Sequence, residues 1–187
     1  MAAIASGLNF STLSSEGFAL NICSTINTTT NPEYPATPVA FGTMTVGMDE
    51  SEWVYAKPAG AYAIGTVGYF DTSWNFTALP VGSLSSQSGL KVGVMSQVAS
   101  VTASPSSTNY DGVWVQVSGL CPAIQVAAST SANAQLYNMA ATTTGQLTST
   151  NSGNSAINGV ILTTAQGGGG AGTQVGLLNN PEIVLTT

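Results

Sequence analysis

Apolar and polar positions in this chain alternate in short runs, and glycine, proline or a Ser/Thr/Asn cluster interrupts each run after a few residues. That is the period and punctuation of β-strands joined by turns. The strongest run lies in residues 110–128. It opens on the turn dipeptide Asp111-Gly112 and continues as Val113-Trp114-Val115-Gln116-Val117, rich in the β-branched and aromatic residues that suit a pleated, half-buried surface. Ser118, Gly119 and Pro122 then interrupt it, because glycine admits positive φ and proline has no ladder donor, and a second run follows over 123–128. The stretch predicts a strand, a tight connection and a second strand.

The remaining runs follow the same grammar. Residues 41–46 alternate with Thr and Gly, 52–56 form a clear strand ended by Lys57-Pro58, and 61–70 read as another, with Gly60 and Gly65 as breaks. Residues 91–98 alternate at period two, which turns Val92, Val94 and Val98 inward. Further runs occupy 135–139, 146–147 after a turn at Gly145, 157–164, 173–178 and, past Asn179-Asn180-Pro181, 182–185. Residues 167–170 form a four-glycine hairpin loop. No amphipathic helix is predicted beyond one short turn in 129–136. The pattern predicts an all-β chain: a single β-barrel or β-sandwich domain of about ten short strands over residues 41–187. A faint echo between Trp53-Val54 and Trp114-Val115, each followed by a Pro/Gly break, reads as two hairpins obeying the same rules.

Residues 1–40 differ from the rest. Phe10, Leu13, Phe18, Leu20, Ile22 and Ile26 are scattered among Ser, Thr and Asn, and Pro32, Pro35 and Pro38 recur at a spacing of three, which favours an extended path. They predict an extended N-terminal arm that packs on the domain or on a neighbour, with a first strand and surface loop as the alternative.

Composition narrows the function. Charged residues make up 5% of the chain, two lysines against eight acids, where about 25% is usual. With a net charge of −6 and only Lys57 and Lys91 as cations, there is no basic patch to neutralise phosphates or to meet an anionic membrane, so neither nucleic acid nor membrane is an expected partner. The first residues carry no basic region and no long apolar run, so no signal peptide is expected. Cys23 and Cys121 read as small buried hydrophobes of a chain made in a reducing cytosol, with a disulfide between them left open.

Catalytic chemistry finds few candidates. General acid-base work most often uses histidine, and the chain has none, which also removes the usual zinc and copper ligand. Ser88-Gly-Leu-Lys91 matches a Ser-x-x-Lys pattern but lies between a loop and a strand, where that motif needs a helix start. Asp49, Glu50 and Glu52 read as a solvated turn, with a calcium site as the alternative. Asp71 and Asp111 read as turn residues. The glycine loop lacks the lysine and helix of a phosphate loop, and Asn27-Thr-Thr and Asn75-Phe-Thr are glycosylation sequons of the kind Ser/Thr-rich chains produce by chance. Trp53, Trp74 and Trp114 read as buried strand aromatics, with a stacking platform for sugars or bases as the alternative. No catalytic, cofactor or metal site is expected.

The order of strand phrases carries a resemblance. Glu-Trp-Val-Tyr-Ala (52–56), Gly-Ala-Tyr-Ala-Ile-Gly (60–65), Lys-Val-Gly-Val-Met (91–95), Gly-Val-Trp-Val-Gln-Val-Ser-Gly (112–119), Ala-Asn-Ala-Gln-Leu-Tyr (132–137) and Ile-Asn-Gly-Val-Ile-Leu-Thr-Thr-Ala (157–165) precede a Gly-rich turn and Leu-Leu-Asn-Asn-Pro. Over residues 41–187 this resembles the tailed-phage capsid cement (head decoration) proteins. The resemblance implies a non-enzymatic virion protein, made in the host cytoplasm, that binds the outer surface of a mature capsid, with the major capsid protein and itself as partners, a homotrimer favoured over a dimer. The family offers no motif residues to carry over. From the residues themselves, Phe10, Phe18, Ile22 and Tyr34 are the candidate interface anchors of the arm. The rival reading is a carbohydrate-binding or adhesive surface module, which requires an exposed aromatic platform.

Overall fold

A computed structural model describes residues 40–47, 49–95, 112–139, 143–151 and 155–184. The predicted arm with Phe10, Phe18, Ile22 and Tyr34, together with Cys23, Val98 and Asp111, lies outside the described residues.

The described chain is all-β. Ten strands follow one another: β1 (Met44–Val46), β2 (Glu52–Pro58), β3 (Val67–Phe70), β4 (Asn75–Ala78), β5 (Val92–Met95), β6 (Val113–Val126), β7 (Leu136–Asn138), β8 (Leu147–Thr148), β9 (Ala156–Leu162) and β10 (Gly172–Val184). One 3-10 turn, Ser85–Gln87, precedes β5. The strand order is β1-β2-β4-β3-β5-β6-β10-β9-β7-β8, with further pairings of β6 to β2 and to β8. The pairings therefore close two circuits that share β6, one through β2, β4, β3 and β5, the other through β10, β9, β7 and β8. β6 can serve both because its edges are used twice: Gln116 pairs with Trp53 of β2 on one side and with Val94 of β5 on the other.

Two predicted breaks are strand. Residues 113–126 form one strand of fourteen residues instead of two strands with a connection. The interrupting residues are absorbed as bulges, where one strand carries extra residues and needs no ladder donor. Against β10, the register passes from Cys121↔Gly176 to Ile124↔Gln174, so Pro122 and Ala123 together oppose Val175. Against β2, it passes from Gln116↔Trp53 to Ser118↔Glu52, which leaves Val117 as the extra residue. Gly119 follows at φ 92, and a Cβ there would meet the Cα of Ser51 at 2.8 Å, so both its dihedral and the close approach of β2 require glycine. The second break, Asn179-Asn180-Pro181, also lies inside a continuous strand of thirteen residues. Leu178 pairs with Val160 and Glu182 with Asn158, so these three residues oppose Gly159 alone, itself at φ 80.

Bulges also re-aim side chains. Val113, Val115 and Val117 of β6 join Val54, Ala56, Phe70, Phe76 and Met95 in the smaller buried cluster. Beyond the first bulge, Cys121, Ile124 and Val126 join the larger cluster with Leu136, Leu147, Ile157, Leu162, Leu178 and Ile183. The predicted inward pair Val92 and Val94 sits in that larger cluster, fully buried. Tyr55 and Trp114, directly paired across β2 and β6, bring their ring centroids to 5.2 Å. The two Trp-Val phrases are thus neighbours in the sheet.

Other elements depart modestly from prediction. β2 runs through Lys57-Pro58, and β4, not anticipated as a strand, pairs in parallel with that end of β2 at Lys57↔Asn75 and Pro58↔Phe76. Of the predicted run 61–70, only 67–70 is strand.

Candidate interaction surface

The period of two that buries one set of side chains in β9, β10 and the second half of β6 turns the other set outward, and three of the outward positions fall in one row. Leu177 of β10 pairs directly with Leu120 of β6 and with Ile161 of β9. All three side chains are exposed, Leu120 to 57%, Leu177 to 46% and Ile161 to 49% of their surface, and Val175, two residues along β10, shares that face. The strand segments that carry the row, residues 120–125, 159–162 and 172–179, contain no charged residue. Exposed Pro122, Asn158, Thr163 and Thr173 border it. A contiguous apolar face rimmed by polar groups, here with exposed Glu182 opposite Asn158 at one end, is the usual mark of an interaction site. Met44 and Val46 are also exposed, on the short strand β1, which pairs with β2 on one side.

Beside Ile161 runs an open groove of ≈ 360 Å³ between β9 and the turn before β7, lined by Asn133, Gln135, Asn158 and Gly159 among others. The Gln135 amide donates to the carbonyl oxygens of Leu136 at 3.0 Å and Ile157 at 3.1 Å, which fixes the groove wall. Its lining is neutral and holds no titratable side chain.

The candidate chemical groups are dispersed. Ser88 is exposed just past the 3-10 turn, and Lys91 makes an antiparallel bridge to Glu182. Asp49 belongs to the predicted turn: its Oδ1 accepts from the Ser51 hydroxyl at 2.5 Å, and that hydroxyl accepts from Trp53 Nε1 at 2.7 Å. Among the described residues, no group of three or more Cys, Asp and Glu is gathered as a metal site would require. Asp71 is the predicted turn residue. Partial burial by itself would raise its pKa, but hydrogen bonds from the Asn75 amide and from the backbone N–H groups of Asn75 and Ser73 outweigh that and hold the carboxyl below its ordinary value. The Asn75 amide of the second sequon is engaged in this turn, donating to Asp71 Oδ2 at 2.7 Å. Cys121 is a free buried thiol whose pKa burial pushes up to about 11, against a weaker lowering by a backbone hydrogen bond at Ala123.

The glycine loop is the predicted hairpin connection between β9 and β10, pinned by Gln166, whose amide donates to the Gly170 carbonyl at 2.8 Å. Trp53 and Trp114 are buried strand aromatics as predicted, and Trp74 is half-buried against Phe70. Every aromatic side chain among the described residues is buried or half-buried, so none of them offers the open platform of a sugar-binding module.

Sequence reasoning missed the apolar row because Leu120 stood between two supposed breaks and Leu177 near a third. Its signal was present: Val175 and Leu177 alternate with Gly176 and Leu178, so an uninterrupted strand must show one pair to solvent. Compared with known proteins, the chain matches no family model, no curated protein and no solved structure.

Proposed function

We propose that this chain is a structural virion protein that binds the outer surface of a mature phage capsid and cements the shell of major capsid protein, without catalysis. The observation that carries the reading is the charge-free apolar row Leu120–Leu177–Ile161 on a bulged all-β scaffold, a surface suited to docking on another protein. The order of strand phrases over residues 41–187, which resembles the capsid cement proteins, supports it from the sequence side. A ligand that binds only the assembled shell stabilises that shell by mass action, so no reactive group is needed. The arm supplies further contacts, with Phe10, Phe18, Ile22 and Tyr34 as anchors to the major capsid protein or a sister subunit. The working assembly is a closed homo-oligomer, a trimer in preference to a dimer.

The test is to mix the purified protein with expanded capsids, pellet the particles and count bound copies against the major capsid protein. Saturable binding at a fixed ratio, with a raised capsid melting temperature, is the expected outcome. A protein that stays in the supernatant at all ratios overturns the proposal. Deleting residues 2–30 is expected to lower occupancy; unchanged occupancy would remove the arm from the interface.

A further inference from the structure

A row of exposed Leu, Leu and Ile is an unfavourable surface for a free chain to carry, and the same chain holds a segment able to cover it. We propose that in the free protein the stripe Phe18-Leu20-Ile22 of the arm lies in extended form across the outer face of β6, β10 and β9 of its own chain. The inference goes beyond the proposed function, because it concerns the chain before it meets any shell.

Three observations support this occupant. The first is shape. Phe18, Leu20 and Ile22 stand at i, i+2 and i+4, so an extended backbone would place all three on one side over about 13 Å. The row from Leu120 through Leu177 to Ile161 crosses two inter-strand spacings, about 10 Å, so each arm side chain meets one strand of the face.

The second is charge. Residues 18–26 contain no charged side chain, and neither do the three strand segments of the face. Apolar contact is therefore gained without stripping water from an ion.

The third is the tether. The described chain begins at Ala40, and Phe41 stacks on Tyr55 at 5.4 Å, placing the arm's root beside the middle of β2. From there β2 leads to Glu52, which accepts a hydrogen bond from Asn180 of β10 at 3.3 Å and pairs with Ser118 of β6, two residues from Leu120. That path is about 20 Å of strand, whereas residues 23–40 can span up to about 60 Å. A segment tethered this close acts on its own domain at an effective concentration on the order of millimolar, ahead of any second copy at ordinary protein concentrations. Phe18 and Ile22, two of the anchors assigned above to the shell, are thereby sheltered until a shell competes for them.

The test uses the full chain without capsids. Leu20 is replaced by a benzophenone amino acid, 15N-labelled and unlabelled copies are mixed, and the sample is irradiated, digested and mapped by mass spectrometry. Cross-links from residue 20 to peptides covering 120–125, 159–162 or 172–179 are expected, always between peptides of the same isotope. Adding Ile161→Thr and Leu177→Thr, both exposed and so neutral to the fold, is expected to cut the yield about tenfold with unchanged near-ultraviolet circular dichroism. Cross-links to other segments, mixed-isotope pairs, or a yield unaffected by the two substitutions would each overturn the proposal. Because no capsid is present, the result is independent of shell binding.

Discussion

At the scale of single residues, two of the groups that the fold shifts in pKa, Cys121 and Asp71, report on opposite ends of the pH range. Cys121 is buried in the same apolar cluster as Ile124, Val126 and Leu178, where a thiolate is poorly solvated, and burial outweighs the backbone hydrogen bond at Ala123 and raises its pKa to about 11 from an ordinary value of 9.0. The folded chain therefore holds the proton more tightly than the unfolded chain. Stability is full below pH 9 and falls as pH rises toward 11, by about 2–3 kcal/mol. Urea melts of the wild type and of Cys121→Ala across that range test this, because the variant should lose less stability at alkaline pH than the wild type does. The thiol should also resist alkylation at neutral pH in the native state. Asp71 has the reverse sign. Its carboxylate, held by Asn75 and Ser73, contributes stability above the ordinary carboxylate pKa, and that contribution fades as pH falls through the lowered value. Asp71→Ala should melt below wild type at neutral pH, and the gap should close on acidification; a gap that persists in acid would mean the turn does not depend on charge.

At the scale of elements, the bulges decide the fold, and they are where sequence and structure part. The class, the hydrophobic runs and the inward Val92 and Val94 were legible, because period-two alternation is a local property of the chain. The unity of β6 and β10 was not. Pro122 and Pro181 announce a break to any local reading, and only the partner strand reveals that each falls where an extra residue needs no ladder bond. β4 escaped for a related reason: four residues, Asn75–Ala78, are too few for periodicity, and their place is fixed by parallel pairing with Lys57 and Pro58. The apolar row followed the same fate, since a strand read as two fragments has no continuous outer face. These bulges set an energetic expectation. Gly119→Ala must place a Cβ against Ser51 at positive φ, and the substitution should cost about 1–3 kcal/mol in chemical denaturation. Gly82→Ala, also at positive φ but with open space around it, should cost less, which separates the close approach from backbone strain.

At the scale of the whole molecule, the governing fact is how little charge there is to do anything with. Two lysines and eight acids leave stability to two buried clusters joined through β6, and hydrophobic burial is hardly screened by salt. The contrast is with decoration by electrostatic capture, in which association quickens at low salt and weakens steeply as salt rises. A neutral row of Leu120, Leu177 and Ile161 predicts the other behaviour. Capsid occupancy measured by pelleting should change by less than about threefold between 0.05 and 0.5 M sodium chloride, whereas each fully screened charge contact would cost a measurable step over that interval. Sodium sulfate, which strengthens apolar burial, should raise occupancy. Leu177→Asp should abolish binding while leaving the melting temperature of the free chain nearly unchanged, since the side chain belongs to neither buried cluster of the domain. Occupancy that collapses at 0.5 M salt would move the contact surface away from this face, toward the acidic turn at Asp49, Glu50 and Glu52.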